Sequence, residues 1–161
     1  MIIKMRIDDR LLHGQVAYSW KSALSYEAIV IADDDVANDE VRKMALKLSN
    51  PDGVRLAIRS VEDAANLVKN PKLHAMKVFV IFANPKAAYE FIEKIDEKPV
   101  LNVGGMQKQD DKVLLSPAVY VSKEDIFYLD KIQEKGIEIE VRQVPTENAK
   151  KFTDLKNKLP F

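Results

Sequence analysis

Short apolar runs of strand length alternate along this chain with amphipathic stretches of helix length, and that alternation constrains the fold more than any other feature. Ala28-Ile29-Val30-Ile31-Ala32 and Lys77–Ala83 are nearly continuous apolar runs, too short for buried helices and bounded by polar residues. Such runs read as strands covered on both faces. Ile2–Ile7, Val54–Arg59, Pro99–Val103 and Ile137–Val141 are further strands, and Val113–Leu115 and Ala118–Val121 are short extended pieces. Between them, Gly14–Leu24 spaces Val16, Trp20 and Leu24 along one helical face. Asn38 is placed to cap a helix reaching about Ser49, and Asn50-Pro51-Asp52-Gly53 is a turn. Ser60 caps a helix through Val68, with Asp63 completing a loose capping box. Asn84-Pro85 opens another to about Ile95, with proline at the first helical position. Ser122-Lys123-Glu124-Asp125 opens one that stops at Gly136. The charged tail from Pro145 to Phe161 has room for one more short helix. Strands alternating with helices build right-handed βαβ units. The expected fold is therefore α/β: a three-layer α/β/α domain around a mostly parallel sheet of about six or seven strands. At 161 residues, with 47% hydrophobic residues, the chain has the size and apolar content of one domain spanning residues 1–161.

Composition removes several kinds of chemistry. There are no cysteines, which excludes a disulfide framework, a thiolate zinc site and a cysteine nucleophile. Two histidines are too few for a three-histidine zinc site. Lysine plus arginine equal aspartate plus glutamate at 25 each, which argues against a dedicated nucleic-acid binder with its basic face. No Gly-x-Gly-x-x-Gly or P-loop signature follows the first strand, so no nucleotide cofactor is indicated. The N-terminus is charged by Lys4, unlike a signal peptide, and the longest charge-free apolar run, Val78 to Asn84, is far shorter than a membrane span. A cytoplasmic, soluble protein is the expectation.

In open α/β sheets ligands bind beyond the carboxyl ends of the strands. One loop at that edge is dense in functional groups: Asp8-Asp9-Arg10-Leu11-Leu12-His13-Gly14-Gln15, between the first strand and the first helix. His13 stands at the helix start. A neutral imidazole is a competent nucleophile near neutral pH, since its unperturbed pKa is about 6.5. The unpaired N–H groups of a helix N-terminus suit the oxygens of a phosphoryl group, and Arg10 offers a planar fork for them. The N–H groups around Leu12, Gly14 and Gln15 would complete the cradle, with Gly14 leaving backbone close to the phosphoryl group without a Cβ. Asp8 or Asp9 can orient Arg10 or fix the imidazole tautomer. On these residues alone, a surface histidine at a helix start, with Arg10 in an ordinary salt bridge, is the competing reading. His74 lies at the opposite edge of the sheet and is read as exposed and without a role.

Arg6-x-Asp8-x-Arg10-Leu11-x-His13-Gly14-Gln15-Val16 resembles the active-site signature of the IIB component of the mannose/fructose/sorbose family of the sugar phosphotransferase system. The resemblance continues in Ala32–Asp39, in Leu101-Asn102-Val103-Gly104-Gly105 and in Glu140-Val141-Arg142-Gln143-Val144-Pro145. It implies a phosphoryl carrier: a protein-phosphohistidine–sugar phosphotransferase associated peripherally with its membrane transporter. His13, phosphorylated at Nδ1, would accept the group from a phosphohistidine on a IIA component. It would pass the group to a sugar crossing the membrane through IIC and IID components. Arg10 falls on the arginine beside the histidine and Asp8 on the acidic residue of the loop; Asp9 is not matched. No cofactor or metal is implied. A regulatory module phosphorylated at His13 without a sugar-transfer role is the alternative. A small-molecule-binding α/β domain with no covalent step is a third.

Several weaker features have a functional and a plain structural reading. Asp33-Asp34-Asp35 could join Asp8 and Asp9 around magnesium, but capping of the following helix is the preferred reading. A phosphoacceptor-aspartate pocket would need an aspartate at the end of the third strand, where Arg59-Ser60 stand. Gly104-Gly105 can form an anion-binding backbone nest or, by preference, a tight turn. Tyr18, Trp20 and Phe82 are expected in or near the core. The tail sets Arg142, Lys150, Lys151, Lys156 and Lys158 against Glu147 and Asp154, and reads as a solvated helix face.

Overall fold

The computed structural model describes residues 1–161. In chain order the elements are β1 (Ile2–Asp8), α1 (Gly14–Leu24), β2 (Ala28–Ala32), α2 (Asp34–Ala37), α3 (Glu40–Leu48), β3 (Arg55–Arg59), α4 (Val61–Leu67), α5 (Pro71–His74), β4 (Val78–Phe82) and α6 (Pro85–Ile92). There follow β5 (Leu101–Gly105), β6 (Val113–Ser116), β7 (Val119–Val121), α7 (Lys123–Glu134), β8 (Ile139–Val141), β9 (Lys150–Lys151) and α8 (Phe152–Lys156). The main sheet has seven strands in the order β3-β2-β4-β1-β5-β8-β9, parallel except for β9, and β6 and β7 form a separate antiparallel pair. This is the expected three-layer arrangement.

Two cores flank the sheet. Met5 and Ile7 of β1, Val80 and Phe82 of β4, and Leu101 and Val103 of β5 face a large apolar cluster with Phe91 of α6 and Leu129 of α7. The other side carries Ile29, Ile31, Phe79 and Ile81 against Ala17, Trp20 and Leu46. β1 is therefore central, flanked by β4 and β5, and its carboxyl end delivers the loop that carries His13.

Several boundaries differ from the sequence reading. The helix expected after Asn38 is α3, capped one residue later, and a further short helix, α2, precedes Asn38, because two aspartates each cap a helix. Asp33 accepts from the N–H of Val36, starting α2, and Asp39 from that of Arg42, starting α3. Asn38 instead closes α2, its side chain donating to the Asp34 carbonyl. The predicted caps Ser60, Asn84 and Ser122 all hold, the last as a full capping box with Asp125. Gly136 adopts φ +85° after α7, as a helix stop requires. Tyr18, expected near the core, is 45% exposed, whereas Trp20 and Phe82 are buried. The tail is not merely a solvated helix. β9 pairs with β8 and covers the sheet edge, and α8 is pinned by the fully buried Phe152.

Candidate functional site

The site begins with an exception to the apolar rule. In a parallel strand buried on both faces, alternate residues point to opposite sides. Met5 and Ile7 of β1 enter the apolar core, but Lys4, Arg6 and Asp8 are also buried. Burying a charge is expensive unless it is paired and hydrogen-bonded, and each of these is. Lys4 pairs with Glu140 of β8. The Arg6 guanidinium donates from Nη1 to Asn102 Oδ1 (2.7 Å) and to the Gln143 carbonyl (2.9 Å), and from Nη2 to Asp8 Oδ2 (2.9 Å). Glu140 also accepts from Arg142 Nε (2.6 Å) and from Asn102 Nδ2 (3.3 Å). A continuous hydrogen-bonded chain thus runs from Lys4 through Glu140, Asn102 and Arg6 to Asp8.

Trp20 of α1 closes this chain from above. Its ring centroid lies 5.0 Å from Lys4 Nζ, 5.7 Å from Arg6 Cζ and 5.3 Å from Arg142 Cζ, so one indole faces three cations. Its own N–H donates to the Gln143 carbonyl. Burial alone would raise the Glu140 carboxyl; the hydrogen bonds from Arg142 and Lys4, and their charges, outweigh it and hold Glu140 below the ordinary glutamate range.

The glycines of β5 make room for these charges. β1 and β5 pair Ile7 with Val103 and Asp8 with Gly105, so the register slips by one residue at Gly104. That bulge places Gly104 over Arg6: a Cβ there would lie 2.0 Å from Nη1, a position no neighbouring side chain can occupy. At Gly105 a Cβ would meet Asp8 Oδ1 at 3.2 Å. Gly104 and Gly105 are therefore strand residues that seat two buried side chains, and the expected tight turn is not formed.

Asp8 is the junction between this chain and the loop. Its Oδ1 accepts the N–H of Arg10 (3.0 Å). Its Oδ2, already bound to Arg6, also accepts from His13 Nε2 (2.8 Å). Burial would raise the Asp8 carboxyl; the His13 hydrogen bond, the Arg6 charge and the Arg10 N–H together hold it below the ordinary aspartate range. An ionised Asp8 accepts, so Nε2 is the protonated ring nitrogen and Nδ1 keeps its lone pair. The His13 side chain is 21% exposed.

His13 is the N-cap of α1, with extended φ and ψ of −152° and 139°, and its side chain makes no capping hydrogen bond. The first N–H bonded within α1 is that of Ala17, to the His13 carbonyl. The N–H groups of the first turn, at Gly14, Gln15 and Val16, have no partner within the helix, as at any helix start. Gly14 has φ +37°, and an added Cβ would meet nothing within 4 Å. Its need for glycine is conformational, and the space beside it is open. Leu11 also has positive φ (+60°), strain held by its buried side chain and by its N–H bond to the Asp8 carbonyl.

The other expected residues fall as follows. The Arg10 side chain is exposed and lines a cavity of about 350 Å³ with Gly105, Gln107, Lys108, Tyr120 and Gln143. Leu12 is buried, so it contributes packing and only its backbone is near the helix start. Gln15 is exposed in the first turn of α1. Asp9 braces the neighbouring loop by accepting the N–H of Gln107 (2.6 Å). Asp33 caps α2 and Asp34 accepts the N–H of Val61, which is the capping reading, while Asp8 and Asp9 are committed elsewhere. His74 is exposed in α5, at the edge remote from the loop. No helix is long and apolar enough to cross a membrane.

The residues alone do not point to Arg6, Asn102, Trp20, Glu140 or Arg142 as parts of the site. One local signal is present: Lys4-x-Arg6-x-Asp8 places a charge at every second position of a strand whose other residues are apolar.

The sequence profile of the family described as "PTS system sorbose subfamily IIB component" matches residues 2–160. The chain is 33% identical over 156 residues to the sorbose-specific EIIB component of Klebsiella pneumoniae, covering 97% of this chain and 95% of that protein. It is 37% identical over 154 residues to the mannose-specific EIIAB component of Escherichia coli K12, covering 96% of this chain and 48% of that protein. The chain thus spans about half the length of the mannose-specific relatives. Among solved structures, the IIBSor domain of the Klebsiella pneumoniae sorbose permease superimposes with a TM-score of 0.94 at 32% identity, covering 100% of this chain and 99% of that one. The N-acetylgalactosamine-specific IIB component 1 of Escherichia coli gives a TM-score of 0.87 at 28% identity, covering 94% of this chain and 99% of that one. By its sequence and by its fold, this chain belongs to the sorbose subfamily of phosphotransferase-system IIB components.

Proposed function

We propose that this protein is a phosphoryl carrier and sugar phosphotransferase, with His13 as its acceptor at Nδ1. The observation that carries the reading is the 2.8 Å contact between His13 Nε2 and the buried Asp8 carboxylate, which leaves Nδ1 as the nucleophilic nitrogen. The Nδ1 lone pair forms a bond to phosphorus as the bond from phosphorus to the imidazole nitrogen of a phosphorylated IIA component breaks. The bonding pair returns to that donor imidazole. Nε2 keeps its proton, and the positive charge that develops on the His13 ring faces Asp8. Arg10 and the free N–H groups at Gly14, Gln15 and Val16 hold the three peripheral oxygens, which is the main catalytic demand of phosphoryl transfer. A phosphoryl group on an imidazolium is activated for onward transfer. The acceptor is a hydroxyl of a sugar passing through the IIC and IID membrane components, with this protein docked on their cytoplasmic side.

Incubation of the protein with phosphorylated IIA tests this. Labelled phosphate should attach to the wild-type chain and not to His13→Ala, and sugar phosphate should form when membranes carrying the IIC and IID components are added. Label on His13→Ala would defeat the assignment. Labelling without sugar phosphate would favour a regulatory role over transport.

A further inference from the structure

The Arg6 guanidinium is fully buried yet lies outside the reach of any docking partner, and its relation to His13 is indirect. Arg6 Nη2 and His13 Nε2 donate to the same oxygen, Asp8 Oδ2, at 2.9 Å and 2.8 Å. Two donors on one carboxylate oxygen are coupled: withdrawal of one strengthens the other. The structure is built to hold that arrangement. Asn102 and the Gln143 carbonyl fix Nη1, the bulge at Gly104 clears its volume, and Trp20 covers its face. Arg6 Nε has no hydrogen-bond partner, so the cation is held through Nη1, through Nη2 on Asp8 and by the face of the Trp20 ring.

We infer that Arg6 is a positioning residue for phosphoryl transfer, fixing both the orientation of Asp8 and the negative charge that Asp8 presents to the His13 ring. The inference rests on His13 being the phosphoryl acceptor. Asp8 must be negative enough to hold Nε2–H and steady the imidazolium of the transferring state. A carboxylate without that partner would favour the ring with a second proton taken from solvent, in which Nδ1 has no lone pair. Arg6 offsets part of that charge. The ionisable groups around it are Lys4 and Asp8 on its own strand, Arg10 on the loop, and Glu140 and Arg142 on and after β8. The N-cap of α1 contributes His13, α1 itself the Trp20 ring, and β5 only Asn102 and the two glycines.

The test compares Arg6→Met and Arg6→Lys in single-turnover phosphorylation by phosphorylated IIA, as a function of pH. Arg6→Met should move the acid limb of the rate profile up by about one pH unit and lower the rate at neutral pH about tenfold. Arg6→Lys retains the charge but cannot reach Asp8, Asn102 and the Gln143 carbonyl together. It should slow transfer while leaving the acid limb in place. Folded Arg6→Met with the wild-type rate and profile would overturn the inference, as would equal shifts in both variants. A second measurement needs no variant. Phosphorylation of wild-type protein should shift the Arg6 guanidinium proton and nitrogen resonances and leave those of Arg59, bound to the Ile58 carbonyl, unmoved. Unchanged Arg6 resonances would contradict the coupling even where Arg6→Met does not fold. Phosphoryl uptake by His13→Ala would overturn the acceptor assignment, and this inference with it.

Discussion

β1, β5 and β8 have two faces that obey different rules. On one, Met5, Ile7, Leu101, Val103, Ile139 and Val141 pack into the larger apolar core. On the other, one residue away along each strand, Lys4, Arg6, Asp8, Asn102 and Glu140 are also buried but are joined by hydrogen bonds and ion pairs. The apolar face needs only volume and shape. The charged face needs every partner, because an unpaired charge there has neither water nor a counter-ion. The first face stabilises the domain, and the second spends stability on a fixed geometry that ends at His13.

Substitutions on the two faces should therefore separate. The largest effect on chemistry is expected for Asp8→Asn, which removes the carboxylate from Nε2. Transfer from phosphorylated IIA should fall by about a hundredfold or more, measured by rapid quench, in protein that remains folded. On the opposite face, Leu101→Ala should cost about 3 kcal/mol of stability in denaturant titration, with transfer per folded molecule unchanged. A loss of transfer in folded Leu101→Ala would break the distinction. Next in size, Glu140→Gln leaves Lys4 buried beside a neutral partner and should destabilise by about 3 kcal/mol or somewhat less. The smallest effect belongs to Trp20→Leu, which loses the ring facing three cations, the N–H bond to the Gln143 carbonyl and part of the core volume, and should cost about 2 kcal/mol.

The same contrast predicts a pH dependence. Asp8 and Glu140 both titrate below their ordinary values in the folded protein. Their contribution is then present in full above the ordinary carboxylate values, 3.8 for aspartate and 4.5 for glutamate, and is lost as pH falls through the lower folded-state values. Stability of the wild-type protein should drop below about pH 4.5, and the double variant Asp8→Asn, Glu140→Gln should show a flatter profile over that range. Parallel curves for the two proteins would remove these carboxylates from the acid transition.

The apolar face was legible in the sequence because its signal is local. Uninterrupted runs such as Val78–Phe82 announce buried strands, and Ser60, Asn84 and Ser122 announce helix starts through side chains that bond three residues on. The loop from Asp8 to Gln15 was legible through its density of functional groups and its resemblance to a known signature. Of the charged face behind it only the alternation Lys4-x-Arg6-x-Asp8 is local; the partners of those charges are not. Arg6 meets Asn102 and the Gln143 carbonyl only because the sheet sets β5 beside β1 and β8 beside β5. Gly104-Gly105 looked like a turn for the same reason: the guanidinium that requires glycine there lies almost a hundred residues away in sequence. The cap expected at Asn38 missed by one residue for a smaller reason: Asp39 beside it caps α3, while Asn38 closes the short helix that Asp33 starts.

Nitrogen-15 and phosphorus-31 NMR of the protein phosphorylated by IIA, with labelled histidine, examines the end of this chain of contacts directly. The expected result is a phosphorus–nitrogen coupling at Nδ1 of His13, with Nε2 still bearing its proton toward Asp8. Coupling at Nε2, a phosphoryl group on His74, or no adduct at all would contradict the role assigned to the charged face.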